Sequence, residues 1–124
     1  MLWLIIGIGG GLGAMARHAL NSALAGRYST FPVGIFIVNV SGCLLIGLIA
    51  GLVASSRDHL SEHMRTFLVV GVLGGFTTFS TFGLDTFTLL KGDHTALALL
   101  NALGQVGVGL LAVWIGFSLG LWRL

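Results

Sequence analysis

Charge is what this sequence has least of. Only 8% of its 124 residues are Asp, Glu, Lys or Arg, against about 25% in an ordinary soluble domain. That is too little to clothe a water-exposed surface. With 56% hydrophobic residues and a mean hydropathy of +1.02, the composition is that of an integral membrane protein. The six basic and four acidic residues are dispersed, so the concentrated basic face that nucleic acid requires is missing. Cys43 is the single cysteine, which excludes an intrachain disulfide as well as CxxC or zinc-ligand spacing. Set in an apolar run, it packs as a small hydrophobe. The opening Met1-Leu2-Trp3 has no basic n-region, and no small-residue cleavage site follows in a polar context, so a retained first helix is expected.

Four stretches, 1–16, 28–56, 66–84 and 94–122, are free of Asp, Glu, Lys and Arg. Crossing the hydrocarbon layer takes about 20 helical residues. The second and fourth stretches suffice alone; the first does so if Arg17 and His18 belong to it, and the third if it continues through Asp85. The reading is an all-α chain, one transmembrane domain over 1–124, with helices at about 2–22, 33–55, 64–90 and 94–122. Its connectors hold Gly26, Arg27 and Pro32, then Arg57, Asp58 and Glu62, then Lys91-Gly92-Asp93. A charge inside a membrane helix is expensive, so Arg17 and Asp85 face water, a partner group or the protein interior, unless each sits at headgroup level. Arg57, Arg65 and Arg123 on the terminal side are balanced by Arg27 and Lys91, with or without Arg17, on the other. That gives almost no positive-inside bias. Insertion both ways round, and with it an antiparallel homodimer, is compatible with the balance; so is chance.

Glycine is abundant at 20 residues, roughly twice its usual share of about 7%. Pairs four apart (7/11, 9/13, 47/51, 71/75, 116/120) predict close helix packing without saying which helix meets which. Gly9-Gly10-Gly11-Leu12-Gly13-Ala14 mimics part of a dinucleotide fingerprint, but it lies in a helix-length apolar run rather than after a strand. Four short helices enclose little volume, so an oligomer is expected.

The informative residues are polar ones where lipid should be. Asn39 lies well inside the second span, and lipid cannot satisfy its amide; it faces another helix or a water-filled passage. The third span reads Gly74-Gly75-Phe76-Thr77-Thr78-Phe79-Ser80-Thr81-Phe82. Paired glycines and a run of hydroxyls favour a break in the helix, since glycine lowers helix propensity and hydroxyls compete for backbone partners. A break frees carbonyls able to hold a bare cation, and it presents the positive end of the following helix to anions. The alternative is an unbroken helix with its hydroxyls bonded back. Phe79 and Phe82 share a helical face; their electropositive edges suit an anion, and packing is the other use of such a pair. In the fourth span Asn101 and Gln105 form a polar track toward Asn39, unless Asn101 lies at a headgroup boundary.

Over nearly its whole length the chain resembles the CrcB/Fluc family of fluoride channels. The likeness rests on Gly13-Ala14-Met15-Ala16-Arg17, on Val38-Asn39 and above all on the string from Gly74 to Phe82. It implies a passive, non-enzymatic fluoride channel exporting from the cytoplasm across the bacterial inner membrane. It further implies a dual-topology antiparallel homodimer with two pores at the subunit interface. By resemblance the pore residues are Asn39, Phe79, Phe82, Ser80, Thr81, Gln105 and Arg17. Gly74 and Thr77 would supply backbone carbonyls to a structural sodium ion (Na+) at the dimer centre. Gly109 stands where the family often has a hydroxyl. A proton-coupled multidrug transporter would need an intramembrane carboxylate, for which only Asp85, near a span end, is available. A membrane scaffold would explain the glycine pairs but not the string.

Overall fold

The computed structural model describes residues 1–25, 30–55 and 60–122. Arg27, Arg57 and Arg123, which enter the charge balance, and Gly26 and Asp58 of the connectors lie outside the described residues. The described residues form helices only: α1 (Leu2–Leu24), α2 (Val33–Ala54), α3 (Glu62–Arg65), a π-helical stretch (Thr66–Leu73), α4 (Gly74–Phe76), α5 (Phe79–Lys91) and α6 (Thr95–Leu121). They group into four membrane-length apolar spans, of which α3 through α5 make one of 30 residues, Glu62–Lys91. At about 1.5 Å per residue each exceeds the ~30 Å hydrocarbon layer, and the protein is a multi-pass membrane protein.

Local chemistry sets the ends. Pro32, which has no N–H to lose, immediately precedes α2. The Ser61 hydroxyl accepts from the Met64 N–H at 3.2 Å and caps α3, with Glu62 in the first turn. Between α5 and α6, Asp93 takes a left-handed φ of 59°, letting the chain reverse in a few residues.

The glycine pairs resolve into two seams. Gly9 and Gly13 of α1 lie against the backbone of Phe67, Gly71 and Val72, while Gly75 faces the Gly10 carbonyl. Gly47 and Gly51 of α2 lie against Val113 and Phe117, and Gly116 and Gly120 of α6 against Leu44 and Leu48. The upstream half of the third span therefore packs on α1, and α2 packs on α6, backbone to backbone. The pair 7/11 joins neither seam: a Cβ at either position would meet nothing within 4 Å. The run from Gly9 to Ala14 is helical throughout, without the strand a dinucleotide site needs.

Candidate functional site

The third span breaks where two glycines are followed by two threonines. Thr77 (φ −81°, ψ 157°) and Thr78 (φ −151°, ψ 118°) are both extended. Thr77 closes α4 with its N–H and its hydroxyl both on the Leu73 carbonyl, each at 3.0 Å. Thr78 opens α5, its hydroxyl oxygen accepting from the Thr81 N–H at 3.2 Å as an N-cap. The same hydroxyl donates to Thr81 Oγ1 at 3.1 Å and lies 3.3 Å from Ser80 Oγ. Capping offsets the lost ladder only in part, so other spans must serve the remaining backbone groups.

Two of them do. The Thr78 N–H, which in a continuous helix would serve the Gly74 carbonyl, donates instead to Asn39 Oδ1 at 2.9 Å, and Asn39 Nδ2 donates to the Thr78 carbonyl at 3.1 Å. The Thr77 carbonyl accepts from Arg17 Nη1 at 3.4 Å. Arg17 is half-buried with its guanidinium at the break, which resolves its reading toward a protein partner rather than the headgroups.

From Asn39 a file of polar groups runs to α6 and back. Asn39 Nδ2 donates to Gln105 Oε1 at 2.7 Å and Gln105 Nε2 to Asn101 Oδ1 at 3.0 Å. Asn101 Nδ2 donates to Thr86 Oγ1 at 2.9 Å, and the Thr86 hydroxyl to the Phe82 carbonyl at 2.8 Å. Asn101 has 0% exposure, so it belongs to the track and not to a headgroup boundary. Interhelical bonds of this kind average only about 0.6 kcal/mol in membranes, while a buried amide left unpaired costs about 1–3 kcal/mol. Orientation is therefore their larger contribution. Asp85 is different: its buried Oδ2 has no partner among the described residues.

These groups open on a groove of about 390 Å³, lined by Asn39, Gln105, Gly74, Thr77, Thr78, Phe79 and Phe82 together with apolar residues of α2, the π stretch and α6. The two rings are 5.5 Å apart between centroids and tilted by 46°, and Phe79 is 84% exposed. Arg17, Ser80 and Thr81 are not in the groove lining of the single chain. Sequence reasoning missed Thr78 as the shared partner of Asn39 and α5, and Thr86 altogether. The Thr78-x-x-Thr81 spacing was a readable capping signal for the first; the second had none, because its partner lies on another helix.

A membrane protein of four spans, one broken at a polar groove, is the class the geometry defines. The family profile described as CrcB-like protein, Camphor Resistance (CrcB), matches residues 4–117. Relatives named fluoride-specific ion channels run the length of the chain. FluC 2 of Nitrobacter hamburgensis is 44% identical over 120 residues, covering 96% of both chains. FluC 1 of Symbiobacterium thermophilum is 46% identical over 123 residues, covering 97% of this chain and 98% of its own. FluC of Chloroflexus aurantiacus is 47% identical over 120 residues, covering 96% and 94%. The chain belongs to the CrcB family.

Proposed function

We propose that the chain is a passive fluoride-selective channel, not an enzyme, that exports fluoride from the cytoplasm across the bacterial inner membrane. The observation that carries this reading is the groove at the broken span, where Asn39, Gln105 and the Phe79–Phe82 ring pair meet at bilayer depth. The ion is the one for which the relatives that run the length of the chain are named. Fluoride holds its water tightly, so a pore must substitute hydrogens already in position. The break offers amide and hydroxyl hydrogens, ring edges and the positive end of α5 without a fixed cation in the groove lining. Such weak, distributed donors favour entry and still permit release.

A second copy of the chain, antiparallel and inserted the other way round, completes two pores at the interface in this reading. It is supported by the open side of the groove, by Phe79 at 84% exposure and by the balanced basic residues. Gly74 is exposed too, and its carbonyl has lost the Thr78 N–H. The Thr77 carbonyl keeps a second lone pair beside Arg17. These two hard oxygens suit a sodium ion, and a second copy would double the set. When bound, the ion supplies a fixed positive charge near the dimer centre. Gly74 and Thr77 would hold it; Ser80 and Thr81 add hydroxyls next to the groove.

Efflux from fluoride-loaded liposomes, read with a fluoride electrode and with an ionophore to balance charge, tests the reading. Passive fluoride flux with chloride excluded is expected. Equal chloride flux, or none for fluoride from folded protein, rejects it.

A further inference from the structure

The carboxamides of Asn39, Gln105 and Asn101 stand in a file in which each has one orientation, and the cause is backbone. A peptide N–H only donates and a carbonyl only accepts. Thr78 presents both to Asn39, so Oδ1 must take the first, at 2.9 Å, and Nδ2 serve the second, at 3.1 Å. The other Nδ2 hydrogen goes to Gln105, whose facing atom is then Oε1, at 2.7 Å. Gln105 Nε2 is thereby turned to Asn101 Oδ1, at 3.0 Å, and Asn101 Nδ2 to Thr86 Oγ1, at 2.9 Å. The far end is locked as well, because the Thr86 hydroxyl, 2.8 Å from the Phe82 carbonyl, meets an acceptor only. Donation runs one way from the peptide of Thr78 to that of Phe82.

Counting hydrogens along the file gives an unexpected result. Asn39 Nδ2 has two, and both are used, one on Thr78 and one on Gln105. Gln105 Nε2 also has two, but among the described residues one bond, to Asn101, accounts for only one of them. Asn101 Nδ2 likewise has one hydrogen beyond its bond to Thr86, but Asn101 is fully buried and Gln105 lines the groove, whereas Asn101 and Thr86 do not. We propose that Gln105, rather than Asn39, supplies the carboxamide hydrogen that meets the anion, with Asn101 and Thr86 as its positioning residues. This rests on the fluoride-channel reading. Asn39 is then a strut for the break. Removing the Thr86 hydroxyl strands the fully buried Asn101 amide, which regains a partner only by turning, and in turning it withdraws Oδ1 from Gln105.

Gln105 is the only glutamine beside three asparagines, Asn21, Asn39 and Asn101, so in ¹³C,¹⁵N-labelled full-length protein in micelles its side-chain NH2 signals are identified by residue type, and those of the asparagines are assigned through their own Cβ to the backbone. Titration with sodium fluoride is expected to move the Gln105 signal and leave Asn39 in place, with sodium chloride as the inert control. Thr86→Val is expected to shift the Gln105 signal before any fluoride is added and to lower liposome fluoride flux about tenfold; Thr86→Ser restores both. A fluoride-sensitive Asn39 signal beside an unmoved Gln105 overturns the proposal. So does a Gln105 signal indifferent to fluoride when the wild type carries flux. The wild-type titration needs no variant to fold. A wild type that carries no fluoride is a separate result, which removes the channel reading and this proposal with it.

Discussion

Asn39 has the most to lose from a change of one atom. Asn39→Asp replaces an NH2 that serves the Thr78 carbonyl and Gln105 Oε1 with an oxygen facing two acceptors. Unmade buried bonds at about 1–3 kcal/mol correspond to a fall in fluoride flux of roughly 10- to 100-fold, measured by electrode in liposomes. Near-normal flux would remove Asn39 from the site. Phe82→Ile keeps the bulk but removes the ring edge and the pairing with Phe79 at 5.5 Å. Aromatic terms of about 0.5–1.5 kcal/mol put the expected loss at several-fold in the same assay, and an unchanged rate would make the pair mere packing.

The helices themselves are held by backbone contact at glycine, which predicts opposite outcomes at neighbouring positions. A Cβ at Gly9 would sit 2.8 Å from the Phe67 carbonyl oxygen, whereas one at Gly7 meets nothing within 4 Å. Gly9→Ala is expected to destabilise by about 1–3 kcal/mol, and Gly7→Ala to be neutral or stabilising by up to about 1 kcal/mol. Thermal unfolding in detergent separates them, and equal midpoints would contradict the seam. The spans were legible because charge-free runs of that length have few other uses, and the break because Gly74-Gly75 and the threonines argue locally against helix. Which residue faces which was not legible. α2 and the π stretch are apolar almost all round, so periodicity says little of their rotation, and the meeting of Asn101 with Thr86 depends on how α5 and α6 turn toward each other. The pair 7/11 had the same spacing as 9/13 for the same reason.

At the scale of the whole molecule the open side of the groove is the main fact. Single cysteines in the Lys91 turn, in a Cys43-free background, are expected to label partly from each membrane face with an impermeant reagent; labelling from one face alone would count against dual insertion. Exchanging sodium for a bulky organic cation during purification is expected to lower the unfolding midpoint by several degrees, a shift worth about 1 kcal/mol for a chain this size; an unmoved midpoint would count against the Gly74–Thr77 site. Two peptide units bear a load larger than their size. Thr77 is fastened to α1 through Arg17, Thr78 to α2 through Asn39 and onward to α6 through Gln105, so all four spans are stitched at one point. Adding or deleting a single residue there would misalign every stitch together, which makes this the segment whose length the protein can least vary.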